Sequence, residues 1–489
     1  MSAVVNIVSP MPPKPNGIAD YCHALAESLL PLTPLRIVAD DPFARTPGAL
    51  TVHDPEQAHR YAGPDDIFNY HIGNNPDHGF VLELLLRRRG VVTLHDLNLL
   101  YLYETIGASQ KTIFELMMRS NPGAGAVWAL HQKLRLGGDR TRHGLFDLQG
   151  EILDHALAIV VHSRFARELI RLKHGEAAAA KVRVIPHFAP DASRYHREKC
   201  RAALGLARDE VIVLTSGFAT KAKRFDWIVA ALDDVLREGR RFRWIHAGQE
   251  RPGEFPLTET IQRHPALWAC SVVTGYLCES ELDLRIGAAD ILINLRFPSV
   301  GESSGTLARA YAAGACCIVS DTAGYAEIPR DCVAHVPAFD VRAHLARTLA
   351  RLIDAPDLRR TMGARARRFA TTELSRGAVA KAYLGVFEAS RAAPPPRPAP
   401  ERPAPGARRV DLADDIDGNL REIDAALRTM TRDGSLVIGY ANACQLQQTF
   451  SRLPLDERLA RRGFSIGDVN VVQSGREGGE IVVAVKAGL

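Results

Sequence analysis

Short runs of Val, Ile and Leu alternate with segments of helical period along most of the chain, a pattern that predicts parallel α/β structure. In the first half it predicts strands at Val4–Val8, Arg36–Val38, Ile67–His71, Val91–Leu94, Ala158–Val161 and Val182–Ile185. The same grammar restarts at Val211–Ser216, Arg243–Ala247, Ser271–Thr274, Ile291–Leu295 and Cys316–Ser320. Two doubly wound halves in series are expected, over 1–200 and 201–392, with the last helix of the second able to cross back to the first. Residues 97–155 form a long helical insertion in the first half. A Pro-rich run (PPPRPAPERPAPG) marks a semi-rigid linker over 393–409. Beyond it, 410–489 reads as a small appended αβαββ domain. Leu412, Ile416, Leu420, Ile423, Leu427 and Met430 lie on one face of its first helix, and a hairpin ends it.

Composition narrows the class. Hydrophobic residues make up 46% of 489 residues and charged residues 24%, as in ordinary globular chains. Against 61 Lys and Arg stand 56 Asp and Glu, a net +5, which is too balanced for a protein that lives by nonspecific nucleic-acid binding. The 8 Cys show no CxxC spacing, so neither a disulfide framework nor a zinc site is expected. With no basic leader and no long apolar run, the expectation is a cytoplasmic protein.

In open α/β sheets ligands bind beyond the carboxyl ends of the strands, so the loops there carry the chemistry. After the first strand, Asn16-Gly17 turns into a helix whose N-terminus favours an anion; a plain βα turn explains it equally well. Asn74, Asn75 and His78 follow the third strand, and His95-Asp96 the fourth. Adjacent strand residues point to opposite faces, so Asp96 cannot orient His95 as in a triad. After Val211–Ser216, Gly217, Lys221, Lys223 and Arg224 precede a helix. Lysines there are misplaced for the helix dipole unless they share an anion with it. The richest stretch runs from Ile291 to Asp321. Arg296 enters a loop, and Glu302, Ser303, Ser304, Gly305 and Thr306 open a short helix. Backbone N–H groups, hydroxyls and a guanidinium make a phosphate cradle, while a carboxylate beside it suits sugar hydroxyls. A phosphate attached to polyols is a nucleotide sugar. Helix capping alone would explain the Ser and Glu but not Arg296.

These motifs together resemble the retaining GT-B glycosyltransferases of family 4 (glycosyl transferases group 1), in a branch of bacterial surface-polysaccharide assembly. The resemblance spans roughly residues 3–390. It is carried by PPKPNGIADYCHAL, YHIGNNPDH with VVTLHD, IVVHSRFARELI with VIPH, GFATKAKRFD, TGYLCESEL, and NLRFPSVGESSGTLARAYAAGACCIVSD followed by GYAEIP. It implies two Rossmann-like domains facing a cleft, with transfer from a nucleotide-diphosphate sugar and retention of configuration without a covalent intermediate. His95, Lys223 and Glu302 would be the catalytic residues. Donor binding would fall to Gly17, Gly217, Lys223, Arg296, Glu302, Ser303, Ser304, Gly305 and Thr306, and the acceptor side to Asn74, Asn75, His78 and Asp96. Two positions depart from the family pattern. Phe218 stands where its loop Arg belongs, with Arg296 or Arg224 as replacements, and Ala310 stands in place of its second Glu.

No metal or other cofactor is expected; the only DxD, Asp415-Ile416-Asp417, falls on the solvated face of the appended helix. The implied partners are a nucleotide sugar and a glycan or lipid-diphosphate-linked acceptor, and no nucleic acid. Lys133, Arg135, Arg140 and Arg142 would give a peripheral contact on the inner face of the cell membrane, although ordinary surface arginines explain them as well. The 410–489 segment would serve a protein partner. The alternative is a non-catalytic nucleotide-sugar-binding subunit of a glycan-assembly complex.

Overall fold

The computed structural model describes residues 3–108, 113, 116, 117, 146–299, 301–392, 407–430, 433–441, 445, 448, 449, 455–473 and 479–487. The basic cluster from Lys133 to Arg142 and the Pro-rich run lie outside these residues.

The first sheet contains β1 (Val5–Val8), β2 (Leu35–Val38), β3 (Val52–His53), β4 (Ile67–Ile72), β5 (Gly90–Leu94), β6 (Ala156–Val161) and β7 (Val182–Val184). They lie in the order β3-β2-β1-β4-β5-β6-β7, and every pair is parallel. β1, β4 and β5 are buried along their whole length, as expected of strands covered by helices on both faces. The second sheet contains β8 (Ile212–Ser216), β9 (Arg243–Ala247), β10 (Ser271–Val273), β11 (Ile291–Asn294), β12 (Cys316–Ser320) and β13 (Val333–Val336). Its order is β10-β9-β8-β11-β12-β13, again all parallel. Strand order reverses between β1 and β4 and between β8 and β11. These two switch points are where loops part and a ligand can enter.

Two features join the halves. The helix Arg376–Ala392 returns to the first sheet, where Val379, Ala380, Tyr383 and Phe387 enter the core of Val5, Ile7 and Tyr21. In the other direction, the chain changes core between Phe188 and Ala189. The helix Arg197–Ala203 belongs to the second half. Its Arg201 is buried, meeting Asp290 Oδ2 at 2.5 Å and the Ala288 carbonyl at 3.1 Å. A boundary at 200/201 therefore falls inside this helix.

A third, separate sheet orders β14 (Arg408–Asp411), β15 (Gly434–Tyr440), β17 (Gly479–Ala487) and β16 (Phe464–Gln473). β14 and β15 are parallel and the other two pairs antiparallel. The expected αβαββ order thus gains a leading strand. Leu412 follows that strand instead of facing from a helix, which begins at Ile416. Asp415 stands at the N-cap position and Asp417 in the first turn, where negative charge complements the dipole.

Candidate active site

The cradle expected to take the donor is built on the β8–β11 switch point. Gly217, just past β8, is left-handed (φ 77°), and a Cβ there would lie 2.5 Å from Lys223 Nζ. The turn thus leaves room for the lysine to fold back, and its ammonium donates to the Ser216 carbonyl at 2.7 Å. Burial, with Arg296 and Arg251 nearby, holds the Lys223 pKa well below the ordinary lysine value. An arriving diphosphate would offset all three causes. Ser216 Oγ donates to Thr306 Oγ1 at 3.0 Å, tying this loop to the helix Gly305–Ala313.

Ser304 caps that helix by accepting from Leu307 N, and its hydroxyl donates to Asn294 Oδ1 at 3.2 Å. Glu302 accepts from Ser299 Oγ at 3.0 Å and meets Arg296 Nε at 3.3 Å, so its carboxylate is aimed by two neighbours. Arg296 Nη1, Asn294 Nδ2 and the Tyr325 hydroxyl are buried close together, and none completes hydrogen-bond geometry with the protein. Ser303 sits half-buried between Glu302 and Ser304. Arg224, one of two expected replacements for the loop Arg, turns away from the cradle. It pairs with Asp226 and stacks 3.7 Å from the Trp227 ring. Arg296 is the one beside Lys223. Ala310 is fully buried, and its neighbour Arg309 is held by Asp283 at 2.8 Å and Glu279 at 3.0 Å.

Across the cleft, a Cβ on Gly17 would meet nothing within 4 Å, which leaves the first turn of its helix open to a ligand. The other expected residues here are drawn together, but their polar atoms hold the loops. Asp96 Oδ2 accepts from Asn74 N at 2.8 Å, and Asn74 Oδ1 from Leu102 N at 2.9 Å. Asn75 caps the turn Pro76–His78. The buried His78 ring donates through Nδ1 to the His71 carbonyl at 2.9 Å. Asp96 faces the opposite half closely enough that burial, with Glu302 nearby, raises its pKa. The halves touch where a Cβ on Gly301 would lie 2.4 Å from Leu97 Cδ1. They touch again where Glu327 accepts from the backbone N–H groups of Arg164 (3.0 Å) and Phe165 (2.5 Å).

His95 is the centre of a chain of three imidazoles at the ends of β4, β5 and β6. His71 Nδ1 lies 3.0 Å from His95 Nε2, and His95 Nδ1 lies 3.1 Å from His162 Nε2. His162 Nδ1 faces the Ile185 carbonyl at 2.9 Å, so it must carry the hydrogen. That assignment propagates. His162 Nε2 accepts from His95, His95 Nε2 accepts from His71, and His71 Nε2 accepts from Asn69 Nδ2 at 2.8 Å. Every imidazole in the chain is neutral. Burial holds the pKa of His71 at about 3 and that of His162 at about 4, and burial with the neighbouring imidazoles holds that of His95 well below the ordinary histidine value. Both ring nitrogens of His95 are thus committed within the protein. Cys22, His71 and His95 bring donor atoms within 4.8 Å of one another, but the same commitment leaves no nitrogen lone pair of His71 or His95 for a metal ion.

His162 and His187, in the motifs IVVHSRFARELI and VIPH, join the site although no role for them follows from the sequence. The available signal was a histidine at the end of four successive strands. His187 lies 3.7 Å from the Cβ position of Gly305, at the start of the helix Gly305–Ala313.

Residues 209–355 match the family model described as glycosyl transferases group 1. The chain thus carries a glycosyl transferases group 1 domain over the half that holds the cradle. No curated protein matches. Among solved structures, sucrose-phosphate synthase from Thermosynechococcus elongatus is similar with a TM-score of 0.56 and 19% identity over 79% of this chain and 100% of that one. Anabaena HepE in complex with UDP and glucose gives 0.55 and 14%, over 79% and 100%. WaaG, a glycosyltransferase involved in lipopolysaccharide biosynthesis, gives 0.52 and 16%, over 78% and 99%. At these identities the likeness shows the fold alone, and that fold is GT-B.

Proposed function

We propose that the protein is a retaining, metal-independent family 4 glycosyltransferase of the bacterial surface-polysaccharide branch, moving a sugar from a nucleotide-diphosphate sugar to a glycan or lipid-linked glycan. One observation carries this reading. The buried Lys223 ammonium and Arg296 converge with the N-terminus of the helix Gly305–Ala313 at a topological switch point. Such a cluster suits a departing diphosphate, whose negative charge grows in the transition state.

On this reading, Lys223, Arg296 and the Ser304–Thr306 backbone stabilise the leaving diphosphate, with Gly217 giving the lysine its place. Glu302, held by Ser299 and Arg296, takes donor-sugar hydroxyls, beside Ser303. Gly17 presents backbone to the diphosphate from the other half. The leaving phosphate receives the acceptor's proton on the face from which it departs, so a protein base is not required. His95 keeps a positioning role, because its ring nitrogens brace the cleft wall. Asn74, Asn75, His78 and Asp96 shape the acceptor side from behind. No helix among the described residues is long and apolar enough to cross a membrane, which fits an enzyme meeting a lipid-linked acceptor from the cytoplasmic face.

A donor-binding subunit without turnover is the second reading, favoured by the burial of Ala310 where the family's second Glu belongs. Transfer and donor hydrolysis, measured on the wild type, Lys223→Ala and Glu302→Gln, separate the two. The first reading expects turnover that both substitutions abolish in folded protein. Donor binding without any turnover supports the second, and unchanged turnover in both variants contradicts the site.

A further inference from the structure

We propose that Arg251 is a third cation for the donor diphosphate, beside Lys223 and Arg296, delivered from the loop after β9 and held over the cleft by the ring of Phe218. The inference rests on the donor reading given above, and goes beyond it in naming a residue outside the Lys223 and Glu302 segments.

The backbone brings the two loops together. Gly217 N donates to the Ala247 carbonyl at 2.9 Å, Ala219 N donates to the Gln249 carbonyl at 3.1 Å, and Ala219 forms a parallel bridge with Glu250. A Cβ on Gly248 would stand 2.2 Å from the Gly217 carbonyl oxygen, so the strand-end loops approach as closely as glycine allows. The loop that carries Arg251 therefore lies flush against the loop that carries Lys223.

The guanidinium is then set in place by its own surroundings. Its carbon lies 3.8 Å from the centre of the Phe218 ring, a stacked cation–π contact. Phe218 is itself 38% exposed, an apolar ring held at the rim as a platform. The Arg251 carbonyl accepts from Glu254 N (2.8 Å) and Phe255 N (2.9 Å), while Glu250 accepts from Thr258 N (2.9 Å) and Thr258 Oγ1 (2.7 Å). These bonds fix the loop before any ligand arrives. The Arg251 side chain meets Glu254 at 3.3 Å, and both are about half exposed, so that pair costs little to exchange for a phosphate.

Charge supplies the reason. Arg251 and Arg296 both act on the buried Lys223 ammonium, and each disfavours its charged form. Three like charges gathered at one switch point are compensated by a polyanion, and a nucleoside diphosphate supplies oxygens enough for all three. Arginine suits the outer position because its planar fork can stack on a ring and bind two phosphate oxygens together.

The test is isothermal titration of UDP, GDP, ADP and dTDP into the full chain, followed by the variants Arg251→Ala, Lys223→Ala and the exchange Phe218→Arg with Arg251→Ala. Thermal melts serve as the folding control. We expect Arg251→Ala to weaken whichever diphosphate the wild type binds by about ten- to a hundred-fold. The exchange, which moves the cation onto the neighbouring position, should recover much of that loss. If Lys223→Ala loses binding while Arg251→Ala retains wild-type affinity, Arg251 is a surface ion pair and the inference fails alone. If the wild type binds none of the four, the donor reading fails and takes this inference with it.

Discussion

His71 Nδ1 donates to His95 Nε2 across 3.0 Å, and the direction of that bond follows from the Ile185 carbonyl two imidazoles away. A proton added to His95 or to His162 leaves a donor facing a donor. The cluster therefore resists charging, and its neutral state is tied to the folded state.

Acid stability should show this. Burial depresses the folded pKa of His71 and His187 to about 3, and that of His78 and His162 to about 4. In the unfolded chain each lies near ~6.5, so between those limits the unfolded state binds more protons. Stability should be level above about pH 6.5 and fall continuously below it, each such histidine contributing at most about 1.4 kcal/mol per pH unit. Circular-dichroism melts at pH 7.5, 6.0 and 5.0 check this. A midpoint that does not move would contradict neutral burial.

Gly217→Ala should damage donor binding more than folding. The left-handed backbone costs about 1–2 kcal/mol with a side chain present, and the added methyl would lie 2.5 Å from Lys223 Nζ, too close for the ammonium to keep its place. Diphosphate affinity should drop at least tenfold while the melting midpoint moves only a few degrees. Equal affinity would mean that Lys223 does not need its folded-back position.

Glu327 joins the halves at the N-terminus of the helix Arg164–Ala180, where a carboxylate also meets the positive end of the dipole. Glu327→Ala should remove about 1 kcal/mol from that contact. Hydrogen exchange should rise at the Arg164 and Phe165 amides and stay unchanged in β8. Unaltered exchange at both amides would rule out Glu327 as a clasp between the halves.

Much of the fold was legible because most of its strands are short, mainly apolar runs that end in polar or glycine-containing loops. β9 and β12 fall on their expected residues, while β3, two residues long, and β13, Val-Ala-His-Val, were not expected. β14 is Arg-Arg-Val-Asp, with only Val410 buried, and reads as polar loop. The cradle was legible for a different reason: Lys223 and Glu302 each sit in a loop whose local chemistry is odd without an anion or a sugar. Arg251 was not, since it lies more than thirty residues beyond Phe218 and reaches it only through the pairing of β8 with β9. For the same reason strand ends give histidines, but only the sheet order makes His71, His95 and His162 neighbours.

Asp290→Ala should be the most destabilising single change in the second half. Asp290 binds the buried Arg201, the flanking Arg197 and the Ile212 N–H, and its loss leaves a buried guanidinium without its carboxylate. The expected cost is about 3–5 kcal/mol, seen as a lower denaturant midpoint. A change below about 1 kcal/mol would mean that solvent reaches Arg201 and replaces its partner.

Binding of a nucleotide-sugar diphosphate by the Lys223 cradle is tested most directly by a thermal-shift panel of UDP-, GDP- and dTDP-sugars. A ligand at a hundred times its dissociation constant stabilises the folded state by about 2.7 kcal/mol. One nucleotide class should raise the wild-type melting midpoint by several degrees, and Lys223→Ala should abolish the rise. The same rise in Lys223→Ala, or no rise with any sugar nucleotide, would contradict it.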